Sequence, residues 1–336
     1  MKMVSSFLFS AIFEKELLLM KYILEDSYVD EWILLENSYS FQGEYKGLHA
    51  KNLMQSDERF APFLHKVTII AKEVETQKLS KEKILDDEAF KVEFWQRDLA
   101  YEYFITNYND EDWIVIADVD EMIDFTEPKR REELLQRMNE SKDGILHISI
   151  QRYWYDFDNL YKPLYGIPAC TKAYLKNNKK KLHHVRCDFH ANLKMQWDNI
   201  IAFEYSSCFK IDAIFRKLET QSHMGVKMEE LKQSLRCNHK PILKARQATI
   251  ENNDRFFFET IQLNEYNSPK YVRENLTWLK TNNIHPDYQK NRQTDYPFLF
   301  TFRYKMLVFV KNVIKRINIA FRQLSRVLRI EKYIYE

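Results

Sequence analysis

The sequence predicts an α/β fold, a mixed and mainly parallel sheet flanked by helices, with a basic amphipathic helix at its C-terminal end. Three observations carry this expectation. Short apolar runs alternate with segments of helical spacing through the first 150 residues, as strands and crossover helices do in a parallel sheet. One such run, Trp113-Ile114-Val115-Ile116-Ala117, breaks into Asp118-Val119-Asp120-Glu121, and open α/β sheets bind ligands beyond strand ends of this kind. Between Tyr296 and Ile330 there are eight basic residues and no acidic ones, on a helical face opposite an apolar stripe.

Taken in order, residues 4–9 read as the first strand. This apolar run of about ten residues leads directly into Glu14 and Glu16 without a small-residue cleavage site, which disfavours a secretion signal. Residues 12–24 carry Phe13, Leu17, Met20 and Leu24 at helical spacing. Residues 32–35 and 67–71 follow as strands, and 84–106 as a helix marked by Phe90, Phe94, Trp95 and Leu99. The strand 113–117 comes next, then a helix to about residue 139 with Pro128 near its first turn, where the missing N–H costs nothing. Residues 145–150 read as a further strand. From 151 to 295 the periodicity weakens and short elements with long loops are expected, including a solvated loop at 177–181. The expected organisation is one domain over 1–295, with a donor half to about 150 and an acceptor half beyond it, and a tail over 296–336.

Composition excludes several classes. Hydrophobic residues at 45% and aromatics at 15% are too many for a disordered chain. The five glycines, Gly43, Gly47, Gly144, Gly166 and Gly225, form neither a G-x-G-x-x-G fingerprint nor a Walker loop, so a phosphate would be held by metal and side chains. Cys170, Cys187, Cys208 and Cys237 include no C-x-x-C pair and fit reduced thiols in a cytoplasmic protein. Nothing points to a nucleic-acid partner. In the tail, Lys311, Lys315, Arg322, Arg326 and Arg329 share one helical sector. Val310, Val313, Ile317, Ala320, Leu324 and Val327 share the opposed one, the pattern of a helix lying in an anionic membrane surface. A C-terminal helix packed on the core with a solvated basic face is the alternative.

The aspartate pair carries the chemistry. Asp118 and Asp120 offer two hard oxygen ligands, which Mg²⁺ and Mn²⁺ accept while leaving positions for nucleotide phosphates. Arg97 could present a guanidinium fork to a diphosphate or pair with Glu93. Lys46 is a second diphosphate candidate, and Glu36 could accept from a nucleoside or cap the chain locally. His183, His184, Cys187 and His190 have spacings that could suggest zinc, but no second ligand pair stands at a familiar distance.

Four blocks resemble glycosyltransferase family 17, the bisecting N-acetylglucosaminyltransferases. They are Asp30-Glu31-Trp32-Ile33-Leu34-Leu35-Glu36-Asn37-Ser38-Tyr39-Ser40-Phe41-Gln42-Gly43, Trp95-Gln96-Arg97-Asp98, Asp118-Val119-Asp120-Glu121 and Arg216-Lys217-Leu218-Glu219-Thr220-Gln221-Ser222-His223. They are spread over residues 1 to about 230. The chain departs from the family where Phe203-Glu204-Tyr205-Ser206-Ser207 stands in place of a W-H-x-S-Y segment, and where Asp124 replaces a proline. The resemblance implies a GT-A-like fold and an inverting transfer from a UDP-sugar, by default UDP-GlcNAc, with Mn²⁺ or Mg²⁺. It makes His223 a candidate third metal ligand beside a structural role. The base that such a transfer needs is open among Glu204, Asp156 and Asp158, with Glu204 preferred for its place in the departing segment. Expected partners are the nucleotide-sugar donor, a saccharide or lipid-linked glycan acceptor, and an anionic membrane on its cytoplasmic face. A glycoside hydrolase with paired carboxylates, or a glycan-binding or peripheral membrane protein on an inactive transferase scaffold, are the rivals.

Overall fold

The computed structural model describes residues 1–72, 86–154, 156–188, 202–206, 208–220 and 258–283. Its first half is built from β1 (Met3–Phe9), β2 (Glu31–Asn37), β3 (Val67–Lys72) and β4 (Trp113–Asp118), which run parallel in the order β3-β2-β1-β4. These strands read as continuous apolar runs because both faces are covered. Met3, Phe7, Phe9, Trp32, Leu34, Val115 and Ala117 point to one side, and Val4, Leu8, Ile33, Leu35, Ile114 and Ile116 to the other. On the first side, Leu18, Leu19 and Tyr22 of α1 (Lys15–Glu25) complete the core. Ala100 and Phe104 of α3 (Asp86–Asn107) cover the second. Between them in the chain, α2 (Ala50–Ser56) follows β2.

Each element expected in the first half is present, with boundaries shifted by a residue or two, except that the strand expected over 145–150 runs on to Trp154. The first helix opens as a 3-10 turn over Ile12–Glu14, and α4 (Pro128–Glu140) begins on its proline. The second half is more ordered than its periodicity suggests. The unexpected short strand β5 (Glu121–Ile123) and the expected β6 (Ile145–Trp154) of the first half, together with β7 (Asn159–Thr171), β8 (Ala202–Ser206) and β9 (Phe258–Thr260) of the second, extend the same sheet in the order β4-β7-β6-β8-β5, with β9 on β7. Among the described residues this makes one mixed, nine-stranded sheet. β7 pairs antiparallel with both β4 and β6. Its Pro163, Gly166 and Pro168 hide it from sequence reading, since these residues are depleted in strand interiors.

The expected solvated loop at 177–181 is a short, mostly exposed turn between two helices. Its first residues close α5 (Lys172–Asn178), and Lys179, in the left-handed region at φ 52°, turns the chain into α6 (Leu182–Asp188). Leu175, Leu182 and Val185 bury these two helices against the α3 side of the sheet, which the polar run Asn177–Lys181 gave no reason to expect. Among the described residues, α7 (Ile211–Thr220) and α8 (Lys270–Asn283) follow. Val272 and Leu279 of α8 join Leu17, Met20 and Leu24 of α1 in a second core cluster. Among the described residues no helix is long and apolar enough to cross a membrane. His190, His223, Cys237 and the basic segment 296–330 lie outside them.

Candidate active site

The site forms where the backbone leaves β4. Burial pushes the Asp118 carboxyl up, but the neighbouring Arg97 and Arg186 guanidiniums outweigh it and hold it well below the usual carboxylate range. Arg97, on α3, donates from Nη2 to Asp118 Oδ1 at 2.6 Å, from Nη1 to the Ala117 carbonyl at 3.1 Å, and from Nε and Nη2 to Glu93 Oε1. The structure therefore contains both the Glu93 pair and a link to the aspartate strand. Arg186, on α6, donates from Nη2 to Asp118 Oδ2 at 3.2 Å and to Glu121 Oε1 at 2.6 Å. Glu121 in turn accepts the Asp118 backbone N–H through Oε2, which tightens the turn. Burial raises the Glu121 carboxyl against the opposing pull of Arg186.

Asp120 faces another cation. Lys217 of α7 donates from Nζ to Asp120 Oδ2 at 2.7 Å, and its side chain is 20% exposed. Burial depresses the ammonium, but Asp120 and then Glu14 more than compensate and stabilise its charged form. Glu14, at the turn after β1, accepts the Ser10 and Ala11 backbone N–H groups through Oε2. Its burial carries its pKa to about 7 although Lys217 pulls it down. Glu204 lies on β8 directly across from Glu121 of β5 and beside Arg152 of β6. Arg152 Nη2 donates to Glu204 Oε1 at 3.0 Å, and Arg152 Nε stands 2.6 Å from Oε2. Burial raises Glu204 to about 7, Arg152 opposes, and Asp120 and Glu121 add to the rise.

The four sequence blocks meet at this edge. Gln96 Nε2 donates to the Leu35 carbonyl at 2.8 Å, joining the α3 block to β2. The Phe41 N–H donates to the Thr220 carbonyl at 3.2 Å, and Arg216 grips Glu44 with both Nη groups at 2.9 and 2.8 Å. Glu36 has the geometry of a cap, accepting the His49 and Ala50 N–H groups at 2.7 and 3.0 Å where α2 begins. Lys46 Nζ stands 3.9 Å from Glu36 Oε1, and burial lowers its pKa against the pull of Glu36 and Glu14.

Other candidates fall elsewhere. Asp156 and Asp158 both pair with Lys280 of α8, at 3.3 and 2.7 Å. His183 Nδ1 is 2.6 Å from Asp98 Oδ2 and stacks on Phe94, so the described part of the zinc-like stretch is a packed helix. Reading by sequence misses Arg186, Glu14 and the role of Lys217. The last stood inside the fourth block, and Arg186 inside the stretch weighed for zinc.

Asp118 and Asp120 suit Mg²⁺ or Mn²⁺ in kind, as oxygen donors at one strand end, and the Asp118 side chain is 33% exposed. Among the described residues no three His, Cys, Asp or Glu side chains gather around a metal position. A metal held by this pair alone would need its other positions filled by phosphate oxygens and water, as Mg²⁺ commonly accepts.

The sequence profile of glycosyltransferase family 17 matches residues 1–245, a span containing all four blocks and every site residue above. No curated protein matches the chain in sequence. Among solved structures it is similar to mannose-6-phosphate isomerase from Helicobacter pylori, at 10% identity and a TM-score of 0.30, over 67% of this chain and 91% of that one. It is also similar to glucosyl-3-phosphoglycerate synthase from Mycobacterium tuberculosis, at 13% identity and a TM-score of 0.28, over 81% and 91%. Overlaps this loose say nothing about the site.

Proposed function

The chain belongs to glycosyltransferase family 17 and is a glycosyltransferase, and from that premise we propose that it transfers a sugar, GlcNAc by default, from a UDP-sugar to a saccharide or lipid-linked glycan acceptor with inversion. The observation that carries this reading is the closure of Arg97, Arg186 and Lys217 on the Asp118–Asp120 pair. A strand end with carboxylates for a divalent cation and three basic side chains around them matches the charge of a nucleoside diphosphate. Asp118 and Asp120 would hold Mn²⁺ or Mg²⁺, which when bound supplies neutralisation of the departing diphosphate. His223 remains a candidate third ligand by its place in the fourth block.

Glu204 is the proposed general base. A carboxylate with a pKa of about 7 is half ionised near neutrality, where proton abstraction works best. It takes the acceptor hydroxyl's proton, the acceptor oxygen bonds to the sugar's anomeric carbon, and the bond to the diphosphate breaks with its electrons leaving on phosphate. Arg152 orients Glu204 through its ion pair. Glu36, Arg97 and Lys46 are the proposed donor-side contacts, Glu36 as an extension of its capping role. We also propose that the segment 296–330 holds the enzyme on the anionic cytoplasmic face of a membrane, near a lipid-linked acceptor.

The test is UDP release across a panel of UDP-sugars with Mn²⁺, for wild type and Asp120→Asn. At least one donor should be turned over, and the variant should lose about 100-fold or more, as expected when a main electrostatic contribution is removed. Near-wild-type turnover by folded Asp120→Asn sinks the metal assignment, and UDP release untouched by EDTA does the same.

A further inference from the structure

Lys217 occupies an unusual position for a cation in a site that must also take a metal. Its Nζ lies 2.7 Å from Asp120 Oδ2, and it is near enough to Glu14, Asp118 and Glu204 to interact with all three. A divalent ion binding Asp120 and an ammonium bonded to one of its oxygens repel each other, and in a partly buried site that repulsion is poorly screened. The backbone under Lys217 is fixed. The end of α7 is tied to the turn after β2 by the Phe41–Thr220 hydrogen bond and the two-pronged Arg216–Glu44 pair. Its four-carbon stem is not fixed in this way, so the ammonium can change partners while the helix stays in place.

We propose that Lys217 is an exchangeable counter-ion: it neutralises Asp120 before the donor arrives, yields that carboxylate to the divalent cation, and transfers its ammonium to the donor diphosphate. This rests on the assignment of Asp118 and Asp120 as metal ligands. It makes Lys217 a catalytic residue in the sense that it touches the leaving group. It also couples the two ligands. Metal alone must displace a bonded cation and leave it without a partner, whereas metal with a nucleoside diphosphate gives the displaced ammonium a new anion. Metal and nucleotide therefore bind cooperatively, and by linkage each strengthens the other by the same factor.

The experiment measures Mn²⁺ binding by the loss of its free electron-paramagnetic-resonance signal, with and without UDP, in the full chain. Wild type should bind Mn²⁺ weakly alone and about ten-fold or more tighter with UDP, within the usual range of coupling between sites. Lys217→Met should bind Mn²⁺ alone more tightly than wild type and lose most of the UDP-dependent gain. Lys217→Gln, with a polar stem, repeats the measurement where the Met variant fails to fold by circular dichroism. Asp120→Asn separates the two ideas. If it binds Mn²⁺ as wild type does, the metal assignment beneath the proposal fails. If it loses Mn²⁺ while the Lys217 variants keep wild-type affinity and wild-type coupling, the metal assignment stands and the exchange is overturned.

Discussion

At the scale of single residues the site is a set of charges that bury one another. Asp118 stays ionised because two guanidiniums hold it, whereas Glu14 and Glu204 are pushed towards neutrality by burial that their partners only partly offset. Glu14 gives a pH prediction. Its pKa rises from 4.5 to about 7 in the folded chain, so the fold favours the protonated form. The associated stability is fully present below pH 4.5 and is lost as pH rises through 7. That loss is about 3 kcal/mol at most. Glu14→Gln keeps an oxygen to accept from Ser10 and Ala11 but does not ionise. Denaturant unfolding should show the variant more stable than wild type at pH 8 and no more stable at pH 4.5. Glu204 titrates in the same window, so the wild-type slope should shrink and not vanish. Equal stability differences at both pH values would show that Glu14 is not held as a buried acid.

At the scale of elements, the turn that carries Asp120 and the end of β2 are each held by a buried charged side chain. Lys21 of α1, fully buried, bonds to Glu25 and donates to the Glu121 carbonyl at 2.6 Å, so the helix after β1 supports the turn that presents Asp120. Glu25 also accepts from Trp32 Nε1 and from the Ile123 N–H, tying the same helix to β2 and β5. Glu36 does the comparable work at the end of β2. Glu36→Ala leaves the His49 and Ala50 N–H groups without their acceptor and should cost about 1–2 kcal/mol, the usual worth of a helix cap. Hydrogen exchange at those two amides should quicken while β1 and β4 keep their protection. Unchanged exchange there would mean that water or another group replaces the carboxylate at no cost, and that Glu36 is available to the donor.

At the scale of the molecule, the described residues run to Asn283 and hold Asp118, Asp120, Arg97, Arg186, Lys217 and Glu204, whereas the candidate ligand His223 and the basic segment lie outside them. Its eight basic residues, each worth about 1 kcal/mol near an anionic surface, should give salt-sensitive attachment to phosphatidylserine vesicles. Truncation after Tyr296 should abolish sedimentation with those vesicles and leave UDP release to a soluble acceptor near wild type. Equal sedimentation of both forms, or an unfolded truncation, would assign the segment to the core and overturn the membrane proposal.

The sequence by itself determined the strand and helix order of the first half and the position of Asp118 and Asp120 at a strand end. Both are local properties: a strand buried on two faces must be apolar throughout, and the first charged residue after it marks where the backbone leaves the sheet. It also held the four blocks without saying that they meet. Only the tertiary structure decided which cations face the aspartates, because Lys217 lies 97 residues from Asp120 and Arg186 68 from Asp118, and no periodicity reports a pairing over such separations. β7 was hidden for a related reason. Its prolines and glycine oppose a strand locally, and only the pairing of β4 and β6 on either side of it makes that conformation the favourable one.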